Sequence, residues 1–408
     1  MPFFSQRKSV VIRNSKKMTE SQPVLKYLKP KTVAIPLKYM QSEHFDRHVD
    51  IGDSVKIGTK LAAGKDNIIL FSTVSGKVTA IEKRDHVSLK KADHIIIENN
   101  FLDEKALLIA PVPDLKTLTK ERIGAYPNGV LGMDMSVFTK KIHTVLLNGI
   151  CESYITSNEA GMLVDTDLLF EGLLLLMKNS GAEKGIITVR KNFESLLDVL
   201  TNTAKKYADH PIEIKAVEDI LPMCQGHTPL DVGVLTVDTD MTIAFARFLK
   251  TGIPQYERIV TLSGEGFRKP QNVQVRIGTL LKDVVEAIGG YVEGLNPKHA
   301  RLVAGGAFRG SSVITDDLSI LSTTNAFLCL TDIEKEVLPC IHCGTCIDYC
   351  PVGIQPVQIA AAGKSHELLE KLGADRCVGC GHCSSVCPSF IELTSTTTKA
   401  KAFYLSKK

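Results

Sequence analysis

No apolar run in the chain reaches the ~18 residues that a membrane-spanning helix needs. The densest, Leu168 to Met177, is broken by Glu171. No apolar block follows the basic start, so a secretory signal peptide is not expected. A basic domain of the kind that nucleic-acid binding leaves in a sequence is also missing. The net charge is only +4, and Arg7, Lys8, Arg13, Lys16 and Lys17 all precede the first acid, Glu20. The body is therefore close to neutral, and nucleic acid is not an expected partner. The N-terminal arm reads as a solvated tail, or as a docking segment for a partner or an anionic membrane surface; its Ser-rich, acid-free start also fits a transit peptide weakly. No catalytic triad, Walker loop or metal-hydrolase motif stands out. Gly264-Glu-Gly266 and Gly289-Gly290 read as turn glycines.

A disulfide framework is absent too. There are 11 cysteines. Cys151, Cys224 and Cys329 are scattered and read as small buried hydrophobes. The others lie between Cys340 and Cys387. An odd total with tight local clusters points to metal ligation in a reducing compartment. The 408 residues, 44% hydrophobic and 23% charged, fit a globular chain of two or three domains.

Residues 1–30 look like an arm. From 31 to 100 short β segments predominate: Val33–Leu37, Ile68–Phe71, Gly76–Ile81 and His94–Glu98, with turn signals at Gly52-Asp53 and Ser75-Gly76. Residues 120–250 read as strand, helix, strand, helix: His143–Leu147, Thr166–Asn179, Ile186–Val189, then a helix with Asn192 as N-cap. That alternation implies a parallel sheet with crossover helices. Residues 256–330 place one amphipathic helix, Leu280–Ile288, among short strands, which suggests a β-grasp-like module. Residues 334–393 hold the clustered cysteines, and 394–408 read as a polar, frayed tail.

The clustered cysteines carry the chemistry. Cys340-Ile-His-Cys343-Gly-Thr-Cys346-Ile-Asp-Tyr-Cys350-Pro351 and Cys377-Val-Gly-Cys380-Gly-His-Cys383-Ser-Ser-Val-Cys387-Pro388 both read C-x2-C-x2-C-x3-C-P. Three thiolates so spaced wrap three corners of one cubane, and the fourth reaches the neighbouring cluster. Cluster I is expected on Cys340, Cys343, Cys346 and Cys387, and cluster II on Cys377, Cys380, Cys383 and Cys350. Small residues such as Gly344, Thr345, Gly379 and Gly381 let the backbone fold tightly around sulfide. One helix is expected between the motifs, from about Pro356 to Leu372. Two structural zinc sites are the rival reading, but zinc sites pair their ligands across longer loops. His342 and His382 lie within the motifs, yet cysteine already fills all the expected ligand positions. Two adjacent 4Fe–4S clusters amount to a one-electron relay.

This order of modules resembles the C subunit of Rnf-type electron-transport complexes, a family that shares its core fold with the NADH-binding flavoprotein subunit of respiratory complex I and is related to cobalamin-reductase-type iron–sulfur flavoproteins. The resemblance runs from about Lys31 to Leu393. Val33-Ala-Ile-Pro-Leu37 with Val49-Asp-Ile-Gly-Asp53, Leu146-Leu-Asn-Gly149 with Cys151-Glu152, Arg258 through Thr279, and Gly305-Gly306 carry it. It implies a multi-domain α/β fold: an N-terminal barrel-sandwich-like β domain, a Rossmann-like α/β domain, a β-grasp module of soluble-ligand-binding type and an α-helical dicluster ferredoxin domain. The first module also resembles lipoyl and biotin carriers, but no carrier-type lysine motif lies between Leu61 and Ser75.

In the family, FMN and NADH bind the α/β domain. The positions that would meet them here are Gly129, Gly132, Phe138, Lys140, Asn148, Gly149, Glu152 and Tyr154. Several motifs depart from the family pattern. Asp134 and Met135 replace paired glycines of the phosphate loop, Thr139 replaces its proline, and the strand-end motif Asn148-Gly-Ile-Cys151-Glu152-Ser153-Tyr154 is one residue short. Glycines let backbone N–H groups approach a phosphate, whereas Asp134 would bring a carboxylate near it. Three functions follow. The first is an electron relay through the clusters, without hydride chemistry of its own. The second is a full FMN-dependent NADH dehydrogenase subunit or a soluble reductase serving cobalamin or amino-acid reduction. The third is an assembly protein whose clusters only hold the fold. The expected partners are other redox subunits, membrane-embedded ones among them, with a ferredoxin or flavoprotein as donor. The expected location is cytoplasmic, peripheral on the inner face of the membrane through those partners.

Overall fold

In the computed structural model, which describes residues 10–11, 15–39, 42–64, 68–124, 138, 140–218, 220–221, 233–295, 300–331 and 336–407, the alternating residues after Lys31 build two small antiparallel sheets. One has the order Thr32–Pro36, Lys91–Asn99, Gly76–Asp85, Ser54–Val55, and the other Phe45–Arg47, Lys60–Gly64, Ile69–Phe71. Val33, Ile35, Leu61, Val78, Ile95 and Ile97 fill the core of this unit. Gly76 pairs with Asn99, and a Cβ there would lie 1.8 Å from the Glu98 carbonyl oxygen, so only glycine allows that approach.

The next unit is a parallel four-stranded sheet in the order Ile212–Val217, Lys184–Arg190, Thr144–Asn148, Val234–Val237. Its strands bury Val145, Leu147, Ile187, Val189, Leu235 and Val237 against the helices Thr166–Ser180, Glu194–Ala204 and Thr239–Thr251. Gly172 lets two of these helices meet, because a Cβ there would come within 2.2 Å of the Thr242 carbonyl oxygen. The chain steps outward from Thr144–Asn148 twice and then returns to place Val234–Val237 on the opposite side. Such a reversal opens a crevice between the carboxyl ends of Thr144–Asn148 and Val234–Val237.

A six-stranded mixed sheet follows, in the order Ser311–Val313, Arg301–Ala304, Ala326–Leu330, Glu257–Ser263, Gln271–Arg276, Leu25–Tyr27. The helix Leu281–Ala287 buries Leu281, Val284 and Val285 with Val260, Val273, Val275 and Phe327. The cysteine region is helical. Its core holds Val352, Ile354, Ile359, Leu369, Ala374, Ala400 and Tyr404.

The structure corrects four expectations. The N-terminal arm is not a solvated tail in its described part. Leu25–Tyr27 adds a strand beside Gln271–Arg276, and Lys16 is fully buried, donating from Nζ to the Cys151 carbonyl at 2.8 Å. Glu20 pairs with the buried Arg190, which also meets Glu159. Charge composition cannot reveal this, because a buried lysine needs polar partners, and one of those of Lys16 is a carbonyl 135 residues away in sequence. The tail is not frayed either: Leu393–Leu405 is a helix that buries Leu393, Thr397, Ala400 and Tyr404. Its hydroxyls hid it from a reading by composition, since those of Thr396, Thr397 and Thr398 bond to carbonyls within the helix. The single helix expected between the motifs is two, Pro356–Ala362 and His366–Lys371. Gly363, at φ 56°, breaks them, and the Ser365 side chain caps the second. The helix expected to start from an Asn192 cap begins at Glu194, preceded by Phe193, whose ring packs beneath the Arg190 guanidinium.

Candidate metal centres and strand-end pocket

The two cysteine motifs fold alike. Gly344 and Gly381 take left-handed φ of 75° and 84° and start the short helical turns Thr345–Asp348 and His382–Ser385. Two residues earlier, His342 and Gly379 also have positive φ, 54° and 62°. Glycine takes that conformation freely. His342 does so at a cost of roughly 1 kcal/mol.

These turns aim the thiols into two cavities. One is lined by Cys340, Cys343, Cys346 and Cys387, with Ile341, Ile347, Val357 and Leu393 beside them. The other is lined by Cys350, Cys377, Cys380 and Cys383, with Val352, Ile354, Thr394 and Thr397. Each quartet thus takes three thiols from one motif and one from the other. Among the described residues no set of three His, Cys, Asp or Glu side chains converges as a single-ion site. Four thiols spread around a void suit a polynuclear group better than one ion held at ~2.3 Å.

The two surroundings differ. Cys350, Cys377 and Cys383 are buried and Cys380 is half-buried; in the other quartet Cys346 alone is buried and Cys343 is exposed. The Thr345 hydroxyl donates to Cys343 Sγ at 3.2 Å and holds that thiol below its ordinary range. Burial pushes Cys346 and Cys380 up, and Cys383 to about 11 against the Thr394 hydroxyl bond that opposes it. A buried thiol resists ionisation by itself, and a ligated cation supplies the compensation. The C-terminal helix completes the second cavity. Thr397 Oγ1 lies 3.6 Å from Cys377 Sγ, Thr394 Oγ1 3.4 Å from Cys383 Sγ, and Lys401 donates to the Cys377 carbonyl. The sequence reading missed these residues, and the one signal for them was the hydroxyl run that follows Leu393.

His342 is exposed, whereas His382 is buried with its ring edge-on to Phe308. Phe308 belongs to the loop after Gly305. A Cβ on Gly381 would lie 2.5 Å from the Phe308 carbonyl oxygen, and one on Gly306 would lie 2.1 Å from Glu152 Oε2. The loop therefore packs against the second quartet on one side and Glu152 on the other. The Glu152 carboxylate is buried and accepts from Phe308 N at 2.7 Å and Arg309 Nε at 2.8 Å.

Glu152 also lines the crevice at the strand ends, together with Asn148, Asp238, Asp240, Arg258 and Arg309. Of the eight flavin positions expected from the resemblance, Asn148 and Glu152 reach this pocket. Gly149 packs instead on Met162 and Thr188, and the Tyr154 hydroxyl donates to Glu265. Phe138 joins the α/β core and Lys140 is exposed. Gly129, Gly132, Asp134, Met135 and Thr139 lie outside the described residues, as does Cys224. Cys151 and Cys329 are buried, and burial pushes their thiols to about 12 and about 11. The sequence reading missed Asp238, Asp240, Arg258 and Arg309. Asp238 and Asp240 directly follow a strand, a place where ligand-binding side chains gather in parallel sheets. Asp238 caps the next helix through Met241 N at 2.7 Å, and burial raises Asp240 while Arg258 opposes it.

Comparison with known proteins gives the same order of modules. Family models match as "RnfC Barrel sandwich hybrid domain" over residues 4–101, "Nuo51 FMN-binding domain" over 131–230, "SLBB domain" over 259–316 and "4Fe-4S dicluster domain" over 339–391. The C subunit of the Na(+)-translocating ferredoxin:NAD(+) oxidoreductase complex of Acetobacterium woodii is 29% identical, over 81% of each chain. The proton-translocating counterpart of Clostridium ljungdahlii is 28% identical, over 86% of this chain and 82% of its own. The C subunit of the ion-translocating oxidoreductase complex of Vibrio cholerae is 27% identical over 86% of this chain, which spans 49% of that relative. Among solved structures, an NAD+-reducing [NiFe]-hydrogenase matches at 13% identity and a TM-score of 0.44, over 72% of this chain and 65% of that one.

Proposed function

From the premise that the chain is a C-subunit-type member of the Rnf family, by its domain set, their order and its relatives, we propose that it relays single electrons through two 4Fe–4S clusters. Cys340, Cys343, Cys346 and Cys387 would hold one cluster, and Cys350, Cys377, Cys380 and Cys383 the other. The observation that carries this reading is the exchange of one thiol between motifs around two separate cavities. When bound, such clusters supply one-electron redox chemistry at potentials set by sulfur hydrogen bonds and exposure. Thr345 and Thr394 are the side chains placed to supply those bonds. We read the parallel four-stranded unit as Rossmann-like and the six-stranded unit as a β-grasp.

A second reading, that FMN also binds, is supported by the crevice at the sheet's reversal point. Against it stand the carboxylates of Glu152, Asp238 and Asp240 that line the crevice and the departures at Asp134 and Met135. On either reading the partners are the other redox subunits of an ion-translocating complex, as the relatives' names indicate. No helix among the described residues is long and apolar enough to cross a membrane, so attachment at the cytoplasmic face would run through those subunits. The test is iron, acid-labile sulfide and flavin on protein purified without oxygen. About eight irons are expected. Zinc in their place would overturn the relay, and stoichiometric FMN would establish the second reading.

A further inference from the structure

We propose that the rim of the Cys340–Cys387 cavity is the docking face for a separate redox protein whose own contact surface is apolar at its centre and ringed by Lys and Arg. The inference rests on the cluster reading above. Val337, Leu338, Ile341 and Phe390 are 60%, 47%, 66% and 40% exposed. They belong to one surface. Leu338 N donates to the Ser389 carbonyl at 3.0 Å and Ser389 Oγ to the Pro339 carbonyl at 2.9 Å. These bonds tie together two segments whose Ile341, Pro388 and Ser389 line the same cavity. The exposed Cys343 opens there, while three of the four thiols of the other quartet are buried. Large apolar side chains gathered on a surface mark an interaction site, and this one surrounds the more accessible quartet.

The charges choose the occupant. No Lys or Arg occurs from residue 336 to 363 or from 377 to 398, while Glu336, Asp348 and Glu392 are exposed. An acidic carrier would meet like charge across the rim, and so would a second copy of this chain. A cationic ring around an apolar centre meets complementary charge, which steers encounter and orients the complex.

The experiment uses the full chain, anaerobically purified and oxidised, with two probes: a c-type cytochrome whose haem edge is ringed by lysines, and an acidic plant-type ferredoxin. Binding is measured by calorimetric titration at low salt and at roughly tenfold higher salt. The cytochrome is expected to bind one to one, more weakly at high salt, and the ferredoxin at least tenfold more weakly than the cytochrome. A Val337→Ser/Leu338→Ser double variant is expected to lose about tenfold in cytochrome affinity. Glu336→Lys/Glu392→Lys is expected to reverse the preference between the probes. Iron content and the visible spectrum of each variant show that its clusters are intact. Equal binding of both probes, indifference to both double variants, or a dimer in sedimentation that the serine variant dissolves would each overturn the docking proposal alone. A wild-type chain without iron would overturn the cluster reading, and the docking proposal with it.

Discussion

Cys387→Ser tests the interleaving of the motifs more sharply than any total iron count. The substitution lies in the second motif, yet Cys387 lines the cavity of Cys340, Cys343 and Cys346. A wild-type chain carries about eight irons and a chain with one cluster about four. Cys387→Ser alone is therefore expected to leave about four irons. Adding Cys343→Ser strikes the same quartet and is expected to leave about four still, whereas adding Cys380→Ser strikes the other quartet and is expected to leave almost none. The two double variants remove the same number of thiols and differ only in which cavity loses them. Iron and acid-labile sulfide, measured on anaerobically purified protein with circular dichroism as the check on folding, read the outcome. The reverse pattern, with irons retained in Cys387→Ser/Cys380→Ser and lost in Cys387→Ser/Cys343→Ser, would show that each motif keeps its own four thiols and would refute the reasoning.

Three further outcomes follow from the packing. Arg190→Met leaves Glu159 buried without its cation and unlatches Glu20, so a loss of about 3–5 kcal/mol is expected in urea unfolding; a loss under about 1 kcal/mol would contradict a structural role for the latch. His86 and His94 are buried 6.4 Å apart, and burial lowers both, His86 to about 4. The unfolded chain then binds protons that the folded one refuses, so stability is expected to fall as pH drops from about 6.5 toward about 4, by about 3 kcal/mol from His86 at most. A His86→Leu variant with the same pH dependence as wild type would count against this. Tyr404 is 2% exposed and stacks on His366 at 4.6 Å. Tyr404→Ala is expected to cost about 3–5 kcal/mol and to speed iron release from the chain, with unchanged release kinetics as the contrary result.

Much of the fold could be read without coordinates because its signals are local. Strand alternation around Ile95 and Ile97, the strand–helix alternation after Thr144, and the amphipathic spacing of Leu281, Val284 and Val285 each follow from residues a few positions apart. The cysteine spacing was legible for the same reason. The exchange of Cys350 and Cys387 is an expectation from the motif, and the cluster assignment built on it is the proposal that the Cys387→Ser series tests. The strand-end pocket was legible only in part. Asn148 and Glu152 were named from their motif, but Arg258 and Arg309 come from another sheet and its loop.

The sequence by itself determined the four modules, the metal chemistry available to the chain and the absence of a membrane-length apolar run, since each depends on residue type and short-range spacing. Tertiary structure alone decided what the two ends of the chain do. A buried lysine donates to the Cys151 carbonyl from 135 residues away, and a hydroxyl-rich helix closes over Cys377 and Cys383. It also decided that one quartet exposes Cys343 while the other buries three of its four thiols. Burial, and with it the dielectric around each thiol, is a sum over neighbours distant in sequence, and no local pattern records that sum.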